Sequence, residues 1–296
     1  LGAYGFIRIA FPMLPDAAKS WAPWIGGLAV IGIIYGALGC LAQKDMKRVI
    51  AYSSVAHMGF VMLAIATMTS FGINAAIFGM VAHGLITGML FFLAGSVKHR
   101  YHTLEIRRLS GMLIQMPRLG WILGLCAMAS LGLPGLAGFW GEFPAILSTF
   151  DPLHGLPVET FRTYMVIAAI GTVFAAGYLL WMLQKVAFGN PKPEFEHAHP
   201  HDVTVFEWIA WTPILLLIVF VASVRHYLGA SLVALGGADA IVFTGGIGEN
   251  SAAMREAICV DLEWFGVRLD AARNTRVKGE TTIHAEGPPM SLEDRR

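Results

Sequence analysis

Charged residues and cysteines are scarce in this 296-residue chain, and each shortage argues against a class of function. Only 14% of the residues are Asp, Glu, Lys or Arg, and the formal net charge at pH 7 is +1. A nucleic-acid-binding protein needs a basic surface to neutralise phosphates, and this composition supplies no such surplus. The three cysteines, Cys40, Cys126 and Cys259, lack the spacing of a metal site. We therefore expect neither a metal centre nor a nucleic-acid partner.

Hydrophobic residues are abundant instead. They make up 56% of the chain, and the mean hydropathy is strongly positive. About 20 consecutive apolar residues are enough for a helix to cross the hydrocarbon core of a bilayer. Such stretches recur along residues 1–228, which predicts an all-α polytopic membrane domain with about six full spans and a partial first span. The predicted spans are residues 1–14 (partial), 21–42, 49–68, 73–97, 119–150, 163–187 and 206–227, with loops at 16–20, 98–118, 151–162 and 188–205.

The distribution of Lys and Arg over the loops predicts the orientation. If consecutive spans alternate in direction, ten of these cations fall on one side of the membrane and three on the other. The ten are Lys44, Lys47, Arg48, Lys98, Arg100, Arg107, Arg108, Arg118, Lys185 and Lys192, and the three are Lys19, Arg162 and Arg225. Cytoplasmic loops of membrane proteins carry the excess of positive charge, so the first side should be cytoplasmic.

The span at residues 119–150 contains the stretch around which the chain is organised. Gly132, Pro134 and Gly135 interrupt the apolar run, and the ionisable Glu142 follows them. A carboxylate at the bilayer centre costs about 2.5–3.5 kcal/mol, and a broken helix is tolerated only where protein or a water-filled cavity covers it. Transporters bind ions beside such breaks. We interpret the stretch as a transport site; the alternative is a proline kink with a structural Glu.

Two histidines lie at the middle of neighbouring predicted spans. His57 follows Ser53 by four residues, and Thr87 follows His83 by four, so each pair shares one helix face. The reference pKa of histidine is about 6.5, which suits proton transfer near neutral pH. His57 and His83 are therefore candidate proton-transfer groups at mid-span, with Ser53 and Thr87 as their supporting hydroxyl groups. Alternatively, each histidine is a satisfied polar residue between packed helices.

Several long motifs carry a resemblance to a known family. They are QKDMKRVIAYSSVAHMG at residues 43–59, AHGL at 82–85, and LGLPG at 131–135 followed by GEF at 141–143. In these motifs, residues 1–220 resemble the C-terminal half of the antiporter-like, proton-translocating membrane subunits of NADH-quinone oxidoreductase. The M-type (chain 4) subunit is the best match, because Glu142 stands where sibling subunits usually carry Lys.

The resemblance implies a function for these positions. The two histidines would relay protons along the bilayer middle, Glu142 would connect them to an exit half-channel, and Lys47 would be a basic group at the cytoplasmic end. NADH, flavin and iron–sulfur clusters are expected in partner subunits, since the chain has no motif for them. The partners would be the other membrane subunits and the lipid of a bacterial inner membrane. The related subunit of a membrane-bound hydrogenase or of a multisubunit cation/proton antiporter is the neighbouring alternative.

The composition changes from about residue 229. A predicted strand at residues 237–243 leads into a glycine loop and a helix at residues 251–262. Residues 225–274 resemble the C-terminal region of acetate kinase, in which such a loop lies against ATP; its members here are Gly245, Gly246, Gly248, Glu249 and Asn250. The kinase's catalytic residues have no counterpart here, so the resemblance implies a vestigial nucleotide loop and no phosphotransfer.

The sequence therefore predicts three parts. They are a membrane domain (1–228) that is a fragment of an antiporter-like subunit, a small α/β acetate-kinase-like fragment (229–274), and a disordered tail (275–296) on the extracytoplasmic side. An acetate kinase fragment or a non-functional chimera is the alternative from another class. At the join, no Pro or Gly lies between residues 214 and 228, so we expect one continuous helix from residue 206 past Tyr227.

Overall fold

The computed structural model describes residues 2–195, 200–234, 270 and 274–275. The described part of the chain is helical, and its β-pairing is limited to an isolated bridge between Asp45 and Glu105. This confirms the all-α class. The helices are α1 (Gly2–Gly5), a π-helical turn (Phe6–Ala10), α2 (Phe11–Met13), α3 (Pro15–Ala42), α4 (Met46–Ala66), α5 (Ser70–Tyr101), α6 (Met112–Gln115), α7 (Pro117–Ser130), α8 (Ala137–Ser148), α9 (Val158–Val186) and α10 (Val205–Ala234).

Four helices, α3, α4, α5 and α9, are long and apolar enough to cross a membrane by themselves. The shorter apolar segment Val205–Val221 opens α10. The helices exceed the predicted spans at most of their ends. The predicted loop at 16–20 is wrong, because these residues belong to the start of α3. Pro15 is tolerated in the first turn because an N–H group at this position would have no partner within the helix. Residues 98–101 and 158–162 are likewise helical.

Backbone hydrogen bonds between loops show which helix ends share a side. The turn after α3 pairs with the loop after α5: Met46 N donates to Leu104 O at 2.9 Å, and Ile106 N donates to Lys44 O at 2.8 Å. The loop after α9 pairs with the start of α6: Gly111 N donates to Phe188 O at 3.1 Å, and Leu113 N donates to Ala187 O at 3.0 Å. On the opposite side, Leu153 N donates to Thr67 O at 2.9 Å. Helix α7 thus starts on the cation-rich side and α8 ends on the other, so the pair makes one crossing.

The predicted break lies between α7 and α8. Leu136 N donates to Leu133 O at 2.9 Å and closes a tight turn over Pro134 and Gly135. Gly135 has φ +92° and Gly132 has φ +75°, a region that residues with a Cβ atom rarely adopt. Pro134 and Gly135 therefore form the helix break that the sequence predicted.

Glycines let the two halves of the broken crossing approach their neighbours. A Cβ on Gly138 would lie 2.1 Å from Ala129 O, and a Cβ on Gly141 would lie 2.7 Å from Gly79 Cα. Helix α8 therefore packs backbone to backbone against the end of α7 and the middle of α5. This close approach brings the next residue, Glu142, into the bundle.

Helix α10 continues to Ala234 without interruption, which confirms the continuous helix through the predicted join. The chain divides into two compact units, Leu1–Ala222 and Ser223–Arg296. Residues 229–234, which composition assigned to the tail, belong to α10. The predicted strand, the glycine loop with Gly245, Gly246, Gly248, Glu249 and Asn250, and nearly all of the tail at 275–296 lie outside the described residues.

Candidate functional site

A polar cluster lies among the apolar helices. His57 comes from α4, His83 from α5, Ser130 from the last residue of α7, Glu142 from α8 and Tyr178 from α9. Ser130, His57 and Tyr178 are buried. Five helices thus deliver polar side chains to a single location beside the helix break.

The shortest contact in the cluster joins His57 and Glu142. His57 Nδ1 lies 2.5 Å from Glu142 Oε1, and the two side chains are 6% and 12% exposed. One proton must lie between these atoms, because a carboxylate only accepts hydrogen bonds and a carboxylic acid can donate to a free imidazole nitrogen. The pair can therefore hold a proton on either partner.

The other imidazole nitrogen of His57 faces two hydroxyl groups. His57 Nε2 lies 3.1 Å from Ser130 Oγ and 3.3 Å from Tyr178 OH. With the proton on Nδ1, Nε2 accepts from one of these hydroxyl groups. Both nitrogens of the ring are therefore engaged, Nδ1 by a carboxyl group and Nε2 by hydroxyl groups.

His83 has its own hydroxyl partners. Its Nε2 lies 2.8 Å from Ser54 Oγ, and its Nδ1 lies 3.2 Å from Thr87 Oγ1. The centroids of the His57 and His83 rings are 5.6 Å apart. The two imidazoles are therefore neighbours, and each has hydroxyl groups within hydrogen-bond distance.

A small cavity lies between the polar groups. It offers about 20 Å³ for the centres of water molecules and is lined by His57, His83, Ser130, Glu142 and apolar neighbours. One water needs about 10–15 Å³ by this measure. The space is large enough for one water, and four of the side chains that line it are polar.

The helix break shapes the site directly. A Cβ on Gly132 would lie 3.0 Å from Glu142 Oε2. Because the chain turns back at this glycine, the carboxylate can lie against the turn while its other oxygen contacts His57. The break thus makes room for the carboxylate in an otherwise apolar layer.

The structure brings together most of the predicted site. His57, His83 and Glu142 meet, and Thr87 contacts His83. Ser53 is buried, but its hydroxyl donates to Ile50 O at 2.8 Å within its own helix. Lys47 is exposed in the first turn of α4, about 15 Å of helix from His57, and is not part of the cluster.

Three members of the cluster were not predicted: Ser54, Ser130 and Tyr178. Ser54 is the residue after the predicted Ser53. Because successive side chains of a helix point about 100° apart, Ser54 contacts His83 and Ser53 does not. Ser130 is the last residue before the break, and Tyr178 is a hydroxyl group inside an apolar run. A search for every hydroxyl group at mid-span would have found all three.

Replacing Tyr178 with Phe tests the Nε2 side of His57. Because Ser130 Oγ is the closer of the two hydroxyl groups, we expect proton translocation in a complete subunit to fall only about two- to fivefold. This is far less than the 10²–10⁴-fold contribution of a positioned proton-transfer group. Flux at fixed electron-transfer rate measures the effect. Tyr164→Phe, on the same helix, is the control. A loss as large as that from removing His57 would show that Ser130 cannot replace Tyr178.

The fold and the cluster define a polytopic membrane protein that holds ionisable groups at mid-span beside a broken helix. The chain belongs to the family described as NADH:quinone oxidoreductase/Mrp antiporter, TM, whose model matches residues 1–175. A second family model, that of the acetokinase family, matches residues 213–290. The predicted resemblance to an antiporter-like membrane subunit is thereby confirmed.

Curated relatives and a solved structure agree with this assignment. NADH-quinone oxidoreductase subunit M of Rickettsia conorii is 40% identical over 220 residues, which cover 74% of this chain and 43% of the relative. NAD(P)H-quinone oxidoreductase chain 4 1 of Synechococcus elongatus is 44% identical over 191 residues, 64% of this chain and 35% of the relative. Respiratory complex I from Thermus thermophilus with bound NADH contains a chain that is 28% identical, with a TM-score of 0.69 over 79% of this chain and 47% of that one. The chain thus spans less than half the length of these proteins.

Proposed function

We propose that this chain is part of a proton-translocating membrane subunit of a respiratory NADH-quinone oxidoreductase. The observation that carries the proposal is the contact between His57 Nδ1 and Glu142 Oε1 at 2.5 Å, buried beside a helix break and next to His83. Ionisable groups at membrane depth are costly and mark ion or proton pathways. The family and the relatives support the same function.

The geometry suggests how a proton would pass. A proton that reaches His57 Nε2, from a hydroxyl group or from water in the cavity, makes the ring cationic. The ring then gives its Nδ1 proton to Glu142 Oε1, which becomes a neutral carboxylic acid and leaves the ring neutral with its proton on Nε2. Release from Glu142 on the exit side restores the carboxylate. Transfer of the remaining ring proton from Nε2 to Nδ1, by tautomerisation through a hydroxyl group or a water in the cavity, then resets the ring, so that one proton enters and one leaves per cycle.

Net transport needs an energy source outside this chain. Moving one proton against about 100 mV takes roughly 2.3 kcal/mol, and the sequence has no motif for NADH, flavin or an iron–sulfur cluster. We propose that partner subunits hold these groups and drive the relay through contacts in the membrane. The cation-rich ends of α3, α5 and α9 would face the cytoplasm of a bacterial inner membrane, and the chain after α10 would leave on the other side.

Two alternatives rest on specific observations. The family also includes subunits of Mrp antiporters, so a cation/proton antiporter would use the same site with another energy source. The acetokinase match at residues 213–290 supports an acetate-kinase-like fragment (229–274) after the membrane domain. We propose that this part binds no ATP, since ATP would require a complete kinase, and that the fusion leaves the relay unaltered.

Replacing His83 with Ala tests the proposed function. In a complete subunit assembled into the oxidoreductase, we expect proton translocation per electron to fall at least about tenfold, because a positioned proton-transfer group contributes about 10²–10⁴-fold. Measurement of pH changes in vesicles during NADH oxidation gives this ratio. His99→Ala is the matched control, since His99 lies exposed near the end of the same helix. Normal pumping by His83→Ala with a correctly assembled complex would contradict the proposal.

A further inference from the structure

Helix α7 is the short, cation-side half of the broken crossing, and its connection to α8 does not restrain it as a continuous helix would. Its 14 residues span about 20 Å, from Pro117 at the cytoplasmic end to Ser130 at His57. The turn at 131–136 separates it from α8. The axial position of α7 therefore depends on contacts at its first turn as well as on its packing.

The first turn of α7 is capped from a distant part of the chain. Met116, the residue at its own N-cap position, provides no side-chain hydrogen bond. Instead, Asp202 Oδ2 accepts from Arg118 N at 3.1 Å, and Asp202 Oδ1 accepts from Leu119 N at 3.1 Å. A carboxylate at this place satisfies helix N–H groups that have no partner within the helix and matches the positive end of the helix dipole.

The segment that carries Asp202 is itself fixed to α5. The guanidinium of Arg100, on α5, donates to His201 O at 2.6 Å and to Asp202 O at 3.0 Å. It also donates to both carboxylate oxygens of Glu207, at 2.8 and 2.6 Å. The Arg100 side chain is only 7% exposed, so these charge-assisted bonds act away from bulk water, where they are strong.

The same segment is fixed to α10. Thr204 N donates to Glu207 Oε2 at 2.9 Å, and Glu207 N donates to Thr204 Oγ1 at 3.3 Å. This reciprocal pair is a capping box at the start of α10. Residues 200–207, which we name the junction, therefore connect the cytoplasmic ends of α5, α7 and α10.

We propose that Asp202 is a positioning residue that sets the axial position of α7 and thereby places the Ser130 hydroxyl group 3.1 Å from His57 Nε2. The junction holds one end of a stiff helix, and the hydroxyl group lies at the other. Without the cap, α7 can shift along its axis toward the turn at 131–136. The consequence for transport rests on the proposed function, whereas the geometry does not.

The test uses the 296-residue chain in lipid bilayers with ¹⁵N-labelled histidine. Solid-state NMR reports the shift of the His57 Nε2 resonance, assigned by its loss in His57→Gln. We expect Asp202→Ala to move this resonance toward the value of a nitrogen without the serine hydrogen bond. Asp202→Asn keeps one of the two acceptor oxygens and should give a smaller shift in the same direction. Asp202→Ser keeps one acceptor and should give a smaller shift in the same direction; it replaces the alanine variant if that variant does not fold.

Asp45→Ala is the matched control. Asp45 caps α4 by accepting from Arg48 N at 3.1 Å, and α4 carries His57 itself, but α4 is continuous and closely packed along its length. An unchanged resonance in Asp202→Ala would overturn the proposal, and so would an equal shift in Asp45→Ala. Proton translocation by the same variants in a complete subunit separates the two claims. A shifted resonance with normal translocation would support the positioning and contradict a role of the Ser130 hydroxyl group in the relay.

Discussion

Replacing Glu142 with Gln is expected to lower proton translocation at least about tenfold in a complete subunit, while assembly is retained. The amide oxygen can still accept from His57 Nδ1, so the packing of α8 against α4 should survive. An amide cannot take up and release the proton that arrives from the ring. Loss of such a group removes about 10²–10⁴-fold of rate in acid–base reactions. The measurement is the number of protons translocated per electron in sealed vesicles.

A conservative variant and a control variant complete this experiment. Glu142→Asp keeps the carboxyl group on a shorter side chain and should retain part of the flux. Glu159→Gln, at the exposed start of α9, changes the same chemical group away from the site and should leave the flux unchanged. Full translocation by Glu142→Gln would assign Glu142 a structural role.

Replacing Gly138 with Ala is expected to have the largest effect on stability. The new Cβ would lie 2.1 Å from Ala129 O, a backbone atom that can move only if α7 and α8 separate. Overpacking of this kind costs typically 1–3 kcal/mol, and occasionally more. We expect a lower yield of folded protein and a lower midpoint of unfolding in detergent.

Gly124→Ala is the matched control for this prediction. Gly124 lies in α7, and a Cβ there would meet nothing within 4 Å. Alanine stabilises a helix interior by about 1 kcal/mol relative to glycine, so this variant should unfold at the same or a higher midpoint. Equal stability of the two variants would contradict the close contact of α8 with the end of α7.

Hydropathy predicted which segments are helical, but it did not predict the residues at which the helices begin and end. It detects the residues that lie in lipid, whereas a helix continues until its backbone is capped or interrupted. Helix α3 starts at Pro15 and α9 at Val158, each about five residues before the apolar run. The break at Pro134 and Gly135 was predictable, because proline lacks an N–H group and glycine accepts positive φ.

The ionisable core of the site was also predictable, because His57, His83 and Glu142 are costly at membrane depth and stand out from apolar neighbours. Their hydroxyl partners depend on how the helices are rotated and packed. Ser54 rather than Ser53 faces His83 for this reason, and Tyr178 reaches His57 from a helix more than 100 residues later in the chain. Asp202 caps α7 from a position 84 residues after Arg118 and 83 residues after Leu119 in the chain. Local sequence patterns carry no information over such a separation.

The most direct test of the relay is infrared difference spectroscopy on the complete oxidoreductase during turnover. If Glu142 receives the proton of His57, the carbonyl stretch of a protonated carboxyl group should appear, shift in D₂O, disappear in Glu142→Gln and change in His57→Gln. Identical spectra for the wild type and Glu142→Gln in this region would contradict proton exchange between the two residues.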